Sequence, residues 1–402
     1  MASVLDAAVQ MPLVERCYAR IGLMGNPSDG FGGKTVSFLI NNFFASCTIQ
    51  GSTDNNIHLI PHPVYDPTSF SSLADLNAHT LANGYYGGMR LLQATCRVFF
   101  DFLVRNSLSD RSKTYGGFTM SYDTNIPRCV GLSGSSAIIV AAFRCLLRFH
   151  GNLTLDELGI SKDIFPSIIL SIEKSELKIS AGLQDRVIQT YGGLVHMDFT
   201  ITSQIARAPS NIAMKTLTQL NKPGGIYTPL DPGMLPDMYL AYNVNVGKGG
   251  DSGTVHNTVQ ERWAQQDPDL VRNMLELGSY ADRSVLALKA RDYSTLGALM
   301  DMNFAMRRRI YGDEVVGAKN IAVIELAKSF GMSAKFTGSG GGILCMRVTA
   351  EYSLETPLSH VHSATCIPGT FFDDIQEEIV RSAFRPLGFE FVRITIPTTL
   401  SP

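Results

Sequence analysis

Glu173 and Asp185, twelve residues apart, are the carboxylates of this sequence best placed to do chemistry. Asp185 sits in Ser180-Ala181-Gly182-Leu183-Gln184-Asp185-Arg186, and Glu173 lies upstream on a segment patterned as a helix. Moving a phosphoryl group onto an alcohol needs one carboxylate to orient or deprotonate the hydroxyl and another acidic group for Mg²⁺. Without further motifs the pair would read as two ordinary surface acids, Asp185 pairing with Arg186 or capping a helix.

Further motifs are present. Pro127-Arg-Cys-Val-Gly131-Leu132-Ser133-Gly134-Ser135-Ser136-Ala137 links a strand-like segment to an apolar helix. A small-residue turn opening a helix presents unpaired backbone N–H groups, a ready site for phosphate oxygens. Gly131 and Gly134 permit close approach, and Ser133, Ser135 and Ser136 add hydroxyls for phosphate or metal. The same residues would also serve a plain Ser-capped helix. A second Gly-rich element, Lys335-Phe-Thr337-Gly338-Ser339-Gly340-Gly341-Gly342, precedes a strand-like ILCMRV segment. So many glycines are costly to order, which suits a point where a ligand or another backbone comes very close.

One stretch imitates a third phosphate site. Ser28-Asp29-Gly30-Phe31-Gly32-Gly33-Lys34-Thr35 ends like a Walker A loop, but Ser28 stands where the first glycine belongs. It also leads into a strand pattern, whereas a P-loop opens a helix. The Walker reading is rejected.

The elements that must position these groups alternate in type. Strand patterns cover 17–23, TVSFLINNFFASCTIQ, 118–122, LVHMDF, MYLAYNVN, GILCMRV and FEFVRITI. Helical spacing covers 87–106, the segment after Ala137, 166–178, several stretches between about 254 and 331, and 373–385. Strands and helices without a regular βαβ period indicate α+β lobes. The Pro-, Gly-, Ser- and Thr-rich stretch 203–234 reads as the region between two lobes, dividing the chain into 1–215 and 216–402.

The 402 residues are 17% charged and 45% hydrophobic, a globular composition. Lys and Arg number 34 against 36 Asp and Glu, a net charge of −2 that argues against nucleic-acid or anionic-membrane partners. No apolar run reaches transmembrane length and no secretory pattern opens the chain. The seven cysteines lack C-x-x-C spacing and read as reduced thiols of a cytoplasmic protein. Oligomeric state and base preference are left open.

Together these motifs resemble those of the GHMP kinases. Ala19-Arg20-Ile-Gly-Leu-Met-Gly25-Asn26-Pro27-Ser28-Asp29 is similar to the family's first motif, 127–137 to its phosphate loop and 337–342 to its third motif. Gly182-Leu-Gln-Asp185 with Gln189 and Gly192-Gly193 resembles the segment carrying the catalytic aspartate in the family's galactokinases. Two departures stand out. Gly25-Asn26-Pro27-Ser28-Asp29 replaces the Gly-Glu-His-x-Asp of galactokinases, and the phosphate loop has one extra residue. The wording ARIGLMGNPSD, GYYGGMRLL, AGLQDRVIQTYGGLVHMDF and RRRIYGDE resembles the plant-type glucuronokinase branch from about residue 14 to 345.

The resemblance implies a two-lobed fold, with a ribosomal protein S5 domain 2-like N-terminal lobe and a ferredoxin-like C-terminal lobe. It implies phosphorylation of the anomeric hydroxyl of D-glucuronate by ATP, as in UDP-glucuronate salvage. Asp185 would be the base or orienting carboxylate, and Arg20 would acidify the hydroxyl or stabilise phosphoryl charge. Gly131, Leu132, Ser133, Gly134, Ser135, Ser136, Gly338, Ser339, Gly340 and Gly341 would bind nucleotide. Ser136 and Glu173 would hold Mg²⁺, although the extra residue leaves open which of Ser133, Ser135 and Ser136 meets metal. Asn26, Ser28 and Asp29 would contact sugar hydroxyls. Arg128 is a candidate for the sugar carboxylate, with Lys248 and the Arg307-Arg308-Arg309 run as further cations. Rival readings are a family kinase for galacturonate, arabinose or a heptose, a decarboxylase of the same fold, and a sensor without chemistry.

Overall fold

The computed structural model describes residues 11–83, 87–200, 223–244, 259–348 and 367–397. Its first sheet is built on one long hairpin. β1 (Leu13–Met24) pairs antiparallel with β2 (Lys34–Gly51), from Leu13 against Ile49 to Met24 against Val36. Exposure alternates at the start of β1, with Val14 and Arg16 outward and Leu13, Glu15 and Cys17 inward, and everything from Ala19 to Met24 is buried. The other edge of β2 takes β4 (Phe118–Thr124) beside its C-terminal half and β5 (Leu194–Asp198) beside its N-terminal half. The strand order is β3-β4-β2-β5-β6, with β3 at His58–Leu59 and β6 at Ile226–Leu230.

Helices α1 (Leu73–Asn83), α2 (Met89–Arg105) and α3 (Ser109–Tyr115) lie between β3 and β4. Helix α4 (Gly134–Phe149) packs on β1 and β2 and is buried on nearly every face, from Ile139 through Phe143. A helix apolar all round belongs inside, and its Gly/Ser entry is thereby fixed against the sheet. Helix α5 (Phe165–Ser171) runs into a wider π-helical turn, Ile172–Glu176, and α6 (Gln184–Tyr191) follows.

The second sheet has the order β10-β7-β9-β8, all antiparallel, from β7 (Tyr239–Asn243), β8 (Met332–Phe336), β9 (Gly342–Arg347) and β10 (Phe389–Arg393). Helices α7 (Pro268–Ala290), α8 (Tyr293–Tyr311) and α9 (Ala318–Ser329) precede β8, and α10 (Asp374–Phe384) joins β9 to β10. This is the ferredoxin-like order expected. Tyr239, Phe304, Phe336, Phe384 and Phe391 form its core.

Two sequence expectations change. The sheets do not divide at 215: β6 hydrogen-bonds to β5 in the first sheet, so the change of sheet falls between Leu230 and Tyr239. Helix α6 lies where no helical spacing stood out. The Walker-like lysine behaves as its context predicted, since Lys34 begins β2 and pairs with Asp282 at 2.8 Å. Cys17, Cys47, Cys145 and Cys345 are buried free thiols, while Cys366 and Lys248 lie outside the described residues.

Candidate active site

Arg20 is where the motifs converge. It projects from β1, 6% exposed, and its Nη1 donates to the carbonyls of Gly131 at 2.8 Å and Thr337 at 2.9 Å. Its Nε donates to Asp185 Oδ1 at 2.6 Å. One planar guanidinium thus ties together the first strand, the phosphate loop, the third motif and the candidate catalytic acid, a task its rigid fork suits and a lysine's point charge does not.

Asp185 sits in the first turn of α6, where the helix end favours an anion. Burial pushes its carboxyl up, but the Arg20 and Arg186 guanidiniums outweigh this and hold it below the usual carboxylate range. Glu173 lies in the π-helical turn. Such turns shift side chains off the α-helical register and recur at functional sites. The Glu173 carboxylate is 1% exposed; it accepts from Ser135 Oγ at 2.8 Å and pairs with the equally buried Arg186. The result is a compensated chain, Arg20–Asp185–Arg186–Glu173–Ser135. Each of its four ionic side chains contacts one of opposite sign, which offsets the cost of their low exposure.

The phosphate loop turns through left-handed conformations at Cys129, Gly131 and Ser133 before α4 starts at Gly134. The first N–H groups of a helix have no intrahelical acceptor, and here they border an open cleft of about 810 Å³. The third motif lies against the back of this loop. A Cβ on Gly338 would stand 2.5 Å from the Gly131 carbonyl, and one on Gly342 would stand 2.4 Å from that of Val130. Thr337 Oγ1 bonds both of those carbonyls at 3.3 Å. Backbone proximity between two loops therefore accounts for Gly338, Gly341 and Gly342.

The first motif's Gly25–Pro27 turn is pinned from the second lobe. Asn303 of α8 accepts from Gly25 N at 2.8 Å and donates to the Asn26 carbonyl at 3.1 Å. Lys335 Nζ, 1% exposed, donates to the Gly22 carbonyl and to Asn26 Oδ1, both at 2.8 Å. Asp29 follows the turn and faces the cleft. Burial and the neighbouring Asp185 raise its carboxyl to about 6, against the opposing pull of Arg20. A Cβ on Gly182 would lie 2.3 Å from Asp29 Oδ2, so that glycine makes room for the carboxylate.

The cleft wall brings together Arg20, Asn26, Asp29, the stretch Gly131–Ser135, Glu173, Asp185, Gly338 and Ser339. Several expected residues stand elsewhere. Ser28 is fully buried, its hydroxyl given to the Lys34 carbonyl at 3.0 Å, because Gly33 packs on it and the turn faces it inward. It is not positioned for a sugar hydroxyl. Ser136 is likewise buried, and its hydroxyl bonds back to the Ser133 carbonyl, the usual resort of a helical serine. It is Ser135, one helix position earlier, that meets Glu173. Gly341 packs on Cys129 and Val130 behind the phosphate loop, and neither it nor Gly340 lines the cleft. Arg128 does line it, but with its guanidinium over the Tyr65 ring at 5.4 Å, in a group with His62 and Tyr122. These neighbours are remote in the chain from Asn26 and Asp29.

Ser135 and Glu173 offer a hydroxyl and a carboxylate, hard oxygens of the kind Mg²⁺ takes. Mg²⁺ keeps several waters and binds through one or two protein oxygens plus phosphates, so this sparse pair fits it. Among the described residues no cluster of three or more His, Cys, Asp or Glu is arranged for a metal. Asn303 is a site residue the sequence did not signal, Lys335 stood out only by lying inside the third motif, and Arg307 only as one of the basic run named as further cations.

Several known proteins are similar to this chain. A family model described as the GHMP kinases N terminal domain matches residues 97–193. Glucuronokinase 1 of Arabidopsis thaliana is 44% identical over 342 residues, covering 84% of this chain and 86% of that one. The mevalonate kinase of Methanococcus jannaschii superposes with a TM-score of 0.61 at 14% identity, over 97% of this chain and 100% of its own. The Lactococcus lactis galactokinase, solved with galactose, gives 0.60 at 14% identity, over 98% and 95% respectively. At such identity these two structures are likenesses of fold alone.

Proposed function

Because the chain belongs to the GHMP kinase family, with a glucuronokinase as a relative over most of its length, we propose that it is a glucuronokinase. It transfers the terminal phosphoryl group of ATP to the anomeric hydroxyl of D-glucuronate, giving ADP and glucuronate 1-phosphate. The observation that carries this reading is the 44% identity spread over more than four-fifths of both chains.

In this reading ATP lays its phosphates across Gly131–Ser135, where backbone N–H groups of the α4 N-terminus receive them. Bound Mg²⁺, held by Ser135 and Glu173, would neutralise phosphate charge. Arg186 pairs with Glu173, whose other carboxylate oxygen accepts from Ser135. Asp185 accepts the hydrogen bond of the anomeric hydroxyl and takes its proton as the oxygen–phosphorus bond forms. A carboxylate so well stabilised by arginines is a weak base, so its main contribution is to orient the nucleophile. Arg20 acts through Asp185 and through the loop carbonyls it fixes, and is a positioning residue. Asn26 and Asp29 contact sugar hydroxyls. We place the reaction in the cytoplasm, where the thiols stay reduced, and its product suits a nucleotidyltransferase that makes UDP-glucuronate.

ADP release with Mg-ATP across glucuronate, galacturonate, glucose, galactose, arabinose and mannoheptose tests the reading. Glucuronate is expected to give the highest kcat/KM by at least about tenfold. A neutral sugar or a heptose at the top of that series would overturn it.

A further inference from the structure

Glucuronate differs from glucose by one carboxylate, so a kinase that prefers it needs a cation with free donors in the cleft wall. Among the described residues six cations line that wall, Arg20, Arg90, Arg128, Lys178, Arg186 and Arg307. Arg20 and Arg186 are neutralised by Asp185 and Glu173. Arg128 lies over Tyr65, Arg90 lies two residues past Gly88, whose N–H donates to the Tyr122 hydroxyl at 3.2 Å, and Lys178 Nζ donates to the Ser175 carbonyl at 2.7 Å.

Arg307 is different. It comes from α8 in the second lobe and is 7% exposed, yet among the described residues no carboxylate pairs with it. Its Nη1 donates to the Gly338 carbonyl at 2.9 Å and its Nη2 to that of Ser339 at 2.8 Å. Two of the five N–H groups are thereby used, and they lock the fork in place. Its plane is flanked by Phe336 at 4.8 Å and Tyr311 at 5.2 Å, which leaves the guanidinium little freedom to swing toward solvent. The Tyr311 hydroxyl beside it is buried without a hydrogen-bond partner. Gly338 separates this fork from Arg20, because a Cβ on that glycine would stand 2.9 Å from Arg20 Nη1. A fixed, nearly dry positive charge thus lies one peptide away from the Arg20–Asp185 pair. Leaving a buried charge unpaired is costly, and an anionic ligand would relieve that cost.

We propose that Arg307 reads the substrate's carboxylate, with its remaining N–H groups forming the charge-assisted pair that separates a sugar acid from the neutral sugar. The assignment rests on the glucuronokinase reading above. In a pyranose the carboxylate-bearing carbon and the anomeric carbon flank the same ring oxygen. A hydroxyl at Asp185 and a carboxylate at Arg307 therefore ask for two anchor points close together, as Gly338 provides. A planar guanidinium matches both carboxylate oxygens, which an ammonium cannot do.

The test compares D-glucuronate with its neutral amide, D-glucuronamide, by calorimetric binding and by ADP release, in wild type, Arg307→Gln and Arg307→Lys. Wild type is expected to favour the acid. Arg307→Gln should reduce that preference by roughly ten- to a hundredfold while the KM for ATP moves less than about twofold. Arg307→Lys should restore part of it. Parallel losses for acid and amide would show that Arg307 only supports the third motif, and a larger effect on ATP would assign it to phosphate; either overturns the proposal. A wild type that prefers the amide or glucose to glucuronate would instead remove the glucuronokinase reading, and the carboxylate assignment with it.

Discussion

The two glycine-rich loops look alike in sequence and differ in what their glycines face. On the third motif, a Cβ at Gly338 or Gly342 would strike backbone oxygens of the phosphate loop at 2.5 and 2.4 Å. On the phosphate loop, a Cβ at Gly134 would meet only Ile126, at an ordinary 3.5 Å, with the cleft beyond. Gly338 and Gly342 let protein approach protein, as does Gly131 opposite them, where a Cβ would stand 2.9 Å from Ser339 N. Gly134 leaves space that the protein itself does not fill. The presence of glycine therefore says little; the atom it makes room for says whether the position belongs to packing or to a ligand.

The largest effect should fall on neither loop but on the acid they both adjoin. Asp185→Asn leaves Arg20 bonded to the Gly131 and Thr337 carbonyls, so both loops and ATP affinity should persist. Turnover should fall at least about a hundredfold, the scale of losing an acid–base group. Steady-state kinetics beside a nucleotide titration checks this, and near wild-type turnover would remove Asp185 from the mechanism.

Next come matched Gly→Ala substitutions. Gly338→Ala should destabilise by about 1–3 kcal/mol, as overpacking does, and lower Tm by several degrees. Gly134→Ala should leave Tm unchanged or slightly higher, because alanine suits a helical position better than glycine. Its nucleotide affinity should nevertheless drop by about tenfold, since the methyl occupies space beside the phosphate-binding amides. Equal losses of Tm in the two variants, read by thermal denaturation, would erase the distinction between the loops.

The smallest effect concerns pH. Asp29 has its carboxyl raised to about 6, so it is ionised above that value and takes up a proton as pH falls through it. The protonated form loses acceptor capacity for sugar hydroxyls, and kcat/KM for the sugar should decline below about pH 6. Asp29→Asn should flatten that limb at the cost of a lower plateau. A limb that survives the substitution would assign it to another group.

Much of this arrangement was legible in the sequence because it is local. The alternation in β1, the apolar run of α4 and the Gly/Ser turn at its start are patterns within a few residues of one another. What escaped was set by distant partners. Spacing alone could not say which of Ser133, Ser135 and Ser136 meets Glu173, because that depends on the rotation of α4 against a π-helical turn. Helix α6 has only eight residues, too few for its Leu183, Val187 and Ile188 stripe to stand out. The return of β6 to the first sheet is a pairing with β5, unsignalled in its own residues. Ser28 had a plausible type and place, and only the inward-facing turn removed it from the site.

The bonds of Arg20 also bear on how the molecule comes into being. Its link to Thr337 spans 317 residues and its link to Asp185 spans 165, so the reactive corner is assembled from contacts among the most distant in the chain. Contacts that close such long loops form slowly and late, once other structure has lowered the entropic cost of closure. During synthesis the first sheet can pair while the second lobe is still unmade, yet Arg20 has no carbonyl at Thr337 to bond until the third motif has left the ribosome. Nascent chains carrying all of the first sheet should therefore be folded in part and catalytically silent, with competence arriving only as the last quarter of the protein is added.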